Sequence, residues 1–191
     1  MSKPKKTEPC TIASLVELRP QLRQAGIDLL SRREHSRDEL HSKLTRRFYG
    51  QIDDAIRLSF EPLLTDILDD FAQRGWQSDE RFARSFLRTR FQRGQGPLRI
   101  QQELRQRRVA DDIVRMTLAD SDADWFELAR AGAAKKLGVR GELAKIRLAD
   151  QKEKARLYRF LGYRGFNPDQ IQYALDACCE AHDEQDERWD W

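Results

Sequence analysis

The chain repeats itself, and that repeat limits what it can fold into. The segment Ser36-Arg-Asp-Glu-Leu40-His-Ser-Lys-Leu44 returns sixty residues later as Gly96-Pro-Leu-Arg-Ile100-Gln-Gln-Glu-Leu104. A further shift of 57 places Ile100, Leu104, Val109, Val114 and Leu118 on Leu157, Leu161, Phe166, Ile171 and Leu175 without a gap. The i,i+4 apolar pairs are helical spacing. Recurrence at a fixed period marks units too small for a core of their own, which must stack on neighbours. The pattern predicts an all-α chain of three tandem three-helix repeats, stacked into an elongated, curved molecule.

The expected division is a lead-in over 1–23, repeats over 24–77, 78–122 and 123–181, and an acidic tail over 182–191. Within the first repeat the helices fall near Gln24–Glu34 and Arg37–Phe48, with a long one ending near Arg74 at the stop signal Gly75. Gly94 and Gly96 break the second repeat before Pro97 starts its next helix. Residues 138–150 read as a less regular insertion, Asn167-Pro168 as a helix start, and 1–20 and 183–191 as flexible tails. Leu, Ile, Val and Phe make up only 44 of 191 residues, just above the range in which chains fail to fold. A stack of small units, with its large surface, suits so thin a core. Phe82, Phe86 and Trp125 are read as core.

A net charge of +3 conceals strong segregation. Arg81 to Arg108 holds nine arginines and one acid, Glu103, while Lys135 to Arg164 holds ten basic residues against Glu142, Asp150 and Glu153. Arg81, Arg84 and Arg88 fall on one helical stripe, and Gln101, Arg105 and Arg108 on a similar stripe of the next helix. Such segregation reads either as a set of solvated helix faces or as a binding surface. Like charges at i,i+4 cost roughly 0.2–0.5 kcal/mol per pair, so the row is easier to explain if an external polyanion supplies the counter-charge. The candidate contact set is Arg81, Arg84, Arg88, Arg93, Arg99, Arg105 and Arg108. Nucleic-acid backbone and an acidic protein groove both fit bidentate arginine chemistry. No single recognition helix with Asn or Gln among basic residues stands out, so sequence-specific readout is not expected.

Chemistry has no foothold of its own. The chain lacks a phosphate-cradling GxxxxGK[ST], a GxGxxG after a strand and a GxSxG. His35 and His41 are six apart, which a helix does not align for one metal, and adjacent Cys178 and Cys179 lack zinc-ligand spacing. The expectation is a non-enzyme with no cofactor and no metal. No apolar run approaches the roughly 20 residues of a membrane span, and the start of the chain lacks a signal-peptide core. A cytoplasmic monomer is expected.

Several segments resemble the RecX family of bacterial regulatory proteins, which modulate the RecA recombinase. They are Arg33-Glu34-His35-Ser36-x-x-Glu39-Leu40, Asp79-x-Arg81-Phe82-Ala83, Gly94-x-Gly96-Pro97-x-Arg99-Ile100-x-x-Glu103-Leu104, Asp124-Trp125 and Tyr163-Arg164-Gly165. The resemblance implies tandem three-helix repeats, binding along the groove of the RecA–DNA filament, and inhibition of RecA ATPase and strand exchange. It also implies affinity for single- and double-stranded DNA without strong sequence preference, and it assigns no catalytic residue. A DNA-binding helical module acting without RecA is the alternative. Two segments depart from the family pattern: Tyr49 to Glu61, which lengthens the first repeat, and the tryptophan-bearing tail. That tail reads either as a solvated extension or as a polyanion mimic folding over Arg81–Arg108.

Overall fold

The computed structural model describes residues 12–180, and among them every regular element is helical. The acidic tail 182–191 lies outside the described residues. Contacts divide the chain into two compact units. One comprises residues up to Phe82 with Arg107–Val109; the other comprises Ala83–Gln106 with residues from Ala110 onward.

The first unit contains α1 (Leu15–Leu30), α2 (Arg37–Phe48), a 3-10 turn (Tyr49–Gln51), the short α3 (Asp54–Arg57), α4 (Phe60–Gln73) and the start of α5 (Asp79–Gln92). α1 and α2 pack against each other and both pack against α4. Leu18 and Leu22 of α1, Leu40 and Leu44 of α2, and Leu64, Leu68 and Phe71 of α4 close one core. Full burial of such side chains contributes roughly 1.5–3 kcal/mol each. Gly26 has to be small, since a methyl group there would strike the ring of Phe71.

α1 corrects the sequence expectation. It begins at Leu15, where Ser14 caps it through Val16 N, rather than near Gln24, and it carries Pro20 inside. Proline removes an interior hydrogen bond, but here the carbonyl left without its donor belongs to Val16, which is exposed. Residue 12 is no flexible tail either. The Ile12 N–H donates to Gln51 O at 2.8 Å and the Asp53 N–H donates to Ile12 O at 3.0 Å.

The second unit continues α5 and adds α6 (Pro97–Gln106), α7 (Asp111–Ala119), α8 (Trp125–Leu137), α9 (Gly141–Ala149), α10 (Gln151–Arg164) and α11 (Pro168–Cys179). α11 packs along α8 and against α9 and α10. Leu128, Ala133, Leu157, Leu161, Phe166, Ile171 and Leu175 share its core. Asn167 caps α11 with a full capping box, Pro168 following as the start signal predicts. The stretch 138–150, expected to be irregular, is largely helix α9, which buries Ala144 and Leu148. Its basic and exposed apolar residues hide that periodicity.

The repeat is real at the level of burial. Leu40 and Leu44, Ile100 and Leu104, and Leu157 and Leu161 are each 3% exposed or less.

Candidate polyanion-binding surface

α5 sets its side chains by its own amphipathicity. Phe82, Ala83 and Leu87 are buried, and Arg84 and Arg88 stand exposed one turn apart. Neither arginine has an ion pair or side-chain hydrogen bond among the described residues. Arg93, just past the helix, is exposed and its guanidinium is likewise unengaged. Among the described residues these three keep a free cationic head.

Four other candidates are held by partners. Arg81 donates through Nε to Glu34 at 2.9 Å and through Nη2 to Trp76 O at 3.0 Å. Arg99 donates to Glu103 at 3.0 Å and to Tyr163 O at 3.2 Å. Arg105 meets Asp111 at 2.6 Å. Arg108 lies 3.4 Å from Asp38. The stripe expected from Gln101, Arg105 and Arg108 is also cut short. α6 ends at Gln106, and Arg108 beyond it adopts φ +54°, off the helical repeat.

The glycine motifs have a packing cause. In the second unit the Gly96 N–H donates to Arg164 O at 2.8 Å, and the Leu98 N–H donates to Gly165 O at 3.0 Å. A Cβ on Gly96 would enter the Gly165 carbonyl, and one on Gly165 would enter the backbone of Arg99. Arg164 donates back to the carbonyls of Arg93 and Gly94 at 3.0 and 3.1 Å. Glu103 accepts from both Arg99 and Arg90, the latter at 2.8 Å. Burial opposes ionisation of Glu103, but the Arg99 hydrogen bond and the Arg90 charge hold its carboxyl below the usual range. Tyr163, exposed to 77%, sits under the Arg99 guanidinium, 5.0 Å from ring centroid to Cζ. The latch positions Arg93 and fixes the start of α6. Tyr163, Arg164 and Arg90 carry this role, which spacing alone does not reveal because their partners lie far away in sequence.

A second basic zone follows in α8–α10, where Lys135, Lys136, Arg140, Lys145, Lys152, Arg156 and Arg159 are exposed. Burial pushes the thiols of both Cys178 and Cys179 up, away from thiolate. His35 is buried, with Nδ1–H donating to Glu39 at 3.0 Å. Among the described residues no group of three His, Cys, Asp or Glu side chains is placed to hold a metal. No helix among them is long and apolar enough to cross a membrane. The arrangement can bind anionic surface through arginine.

Known proteins resemble the chain along most of its length. The family model described as RecX, second three-helix domain, matches residues 78–118, and RecX, third three-helix domain, matches 122–175. A Regulatory protein RecX from Vibrio campbellii is 43% identical over 153 residues, covering 80% of this chain and 88% of that protein. A Regulatory protein RecX from Halorhodospira halophila is 40% identical over 167 residues, covering 87% and 91%. The crystal structure of RecX from Lactobacillus salivarius matches with a TM-score of 0.65 over 85% of this chain and 97% of that one. At 20% identity that last likeness is one of fold.

Proposed function

The chain belongs to the RecX family of regulatory proteins, and from that premise we propose that it binds the RecA–DNA filament and restrains RecA ATPase and strand exchange. It does so by occupancy, with no hydrolytic activity of its own, as a cytoplasmic monomer without a cofactor. The three-repeat division over 24–77, 78–122 and 123–181 belongs to the same reading. So does affinity for single- and double-stranded DNA without strong sequence preference.

The observation that carries the reading is the free row Arg84–Arg88 on α5, with Arg93 beyond it. An exposed like-charged pair is mildly unfavourable in the isolated protein and becomes favourable against a polyanion. Arg81, Arg99, Arg105 and Arg108, already engaged by partners of their own, meet the filament less directly. The test is ATP hydrolysis by preformed RecA filaments on single-stranded DNA, with and without the protein. The expected result is suppression that saturates with added protein. Unchanged hydrolysis alongside binding to naked DNA would favour the DNA-only module, and hydrolysis by the protein alone would sink the non-enzymatic reading.

A further inference from the structure

α9 is apolar on two sides. Ala144 and Leu148 are buried, yet Leu143 and Ile146 stand 62% and 63% exposed. Three positions apart, they form one stripe on the helix surface. Single exposed apolar residues need no special account, but this pair lies in a basic setting. Arg140 and Lys145 flank it in sequence and are exposed. Arg140 and Lys154 have no ion pair among the described residues, and Lys145 meets only the exposed Glu142 at 3.3 Å.

α11, the helix that precedes the acidic segment, packs against α9. Burial dominates the surroundings of both thiols; beyond it, the charges of Asp176, Lys145, Lys154 and Glu180 act on Cys179 and those of Arg130 and Arg140 on Cys178. Cys179 is the last residue of α11, so the chain continues from the helix that packs against α9. Past Glu180 the sequence runs Ala-His-Asp-Glu-Gln-Asp-Glu-Arg-Trp-Asp-Trp, residues 181–191, with five acids, one base and two tryptophans.

We propose that segment 181–191 docks on the exposed face of α9, its acids meeting Arg140, Lys145 and Lys154 and its tryptophans covering Leu143 and Ile146. Reach does not limit the contact. Eleven residues extend up to roughly 36–40 Å at about 3.3–3.6 Å each, and nine helical residues are only about 13.5 Å long. Other occupants fit less well. A second copy related by a twofold axis would set this patch against itself, cation against cation. A nucleic-acid backbone would match the charge but leave Leu143 and Ile146 without an apolar partner. The tail supplies both kinds of group, and each indole is a large apolar body. The inference is independent of the RecA reading.

The test uses the full chain and acrylamide quenching of tryptophan fluorescence. A variant with Trp189→Phe and Trp191→Phe gives the Trp76 and Trp125 background, so the difference reports the tail. At low salt the tail tryptophans are expected to be shielded. Shielding should be lost in Leu143→Ser/Ile146→Ser, in Lys145→Glu/Lys154→Glu, and in about 1 M salt, where the Debye length shrinks to about 3 Å. Circular dichroism checks the fold, and if the first pair loses helicity the charge pair decides. Full quenching in the parent chain would overturn the proposal. Shielding that survives both variant pairs would overturn it too, by seating the tail elsewhere, as on the Arg84–Arg88 row. Shielding that rises with protein concentration would assign the face to a second copy instead.

Discussion

Arg108 and Gly165 stand 57 positions apart and share one backbone shape, with φ of 54° and 92°. Each comes after a helix that buries an i,i+4 pair, Ile100 and Leu104 in α6 or Leu157 and Leu161 in α10. Each precedes a buried hydrophobe, Val109 or Phe166. The repeat is thus copied in the chain's turn geometry as well as in its apolar residues. Only the later copy carries the residue that this geometry favours.

Arg108→Gly should therefore stabilise the protein. A side chain in the left-handed region costs roughly 1–2 kcal/mol, and glycine returns roughly 0.5–1 kcal/mol of that through the flexibility of the unfolded chain. The net gain is up to about 1 kcal/mol, read as a higher urea midpoint at unchanged slope. A lower midpoint would mean that the contact with Asp38, made by a side chain exposed to 81%, outweighs the backbone strain.

Gly165→Ala should do the reverse, and more strongly. It adds the left-handed cost, roughly 1–2 kcal/mol, to overpacking against the Arg99 backbone, roughly 1–3 kcal/mol. Equilibrium unfolding should show a loss of about 2–5 kcal/mol. Tolerance of alanine within experimental scatter would contradict the close approach of α10's end to α6.

Arg84→Ala/Arg88→Ala should leave folding almost untouched, within about 0.5 kcal/mol for exposed sites. The slope of log K against log salt for duplex DNA should flatten by about 2. Helicity is followed by circular dichroism and affinity by anisotropy. An unaltered slope would take these two arginines out of the contact.

His35 should make stability depend on pH. Burial first, then the charge of Arg33, lowers its imidazole below 6.5, against the opposing pull of Glu39. The unfolded chain therefore takes up the proton first as pH falls. Stability present above about 6.5 is lost as pH drops toward the folded value. His35→Gln should flatten the stability profile across that window in urea melts followed from about pH 7.5 downward. A profile as steep as the parent's would place the titration on another group.

The sequence was most readable where burial and period coincide. Leu40, Ile100 and Leu157 recur at fixed shifts and all three are buried, because a helix that hides one face must repeat its apolar residues. Legibility failed where a local signal was overridden. Residues up to 20 read as a tail, yet α1 starts at Leu15 and runs through Pro20, whose missing donor leaves only the carbonyl of the exposed Val16 unpaired within the helix. α9 reads as irregular because Leu143 and Ile146 blur its apolar face. At the candidate surface the arginines were visible but their engagement was not. Arg99 and Arg84 look alike in sequence, and only packing tells that one holds Glu103 and Tyr163 while the other is free.

The latch between Gly96 and Arg164–Gly165 sets an order of events on the ribosome. Its two halves are made well apart in time. Roughly 65 residues separate Arg99 from Arg164, about 3–13 s of synthesis at about 5–20 residues per second. Throughout that interval α6 emerges without the carbonyls that receive its first N–H groups. The first unit waits less, because the last piece it needs is Arg107–Val109. A nascent chain halted between those points would carry a finished first unit, while the N–H groups of Gly96 and Leu98 still lacked the carbonyls of Arg164 and Gly165.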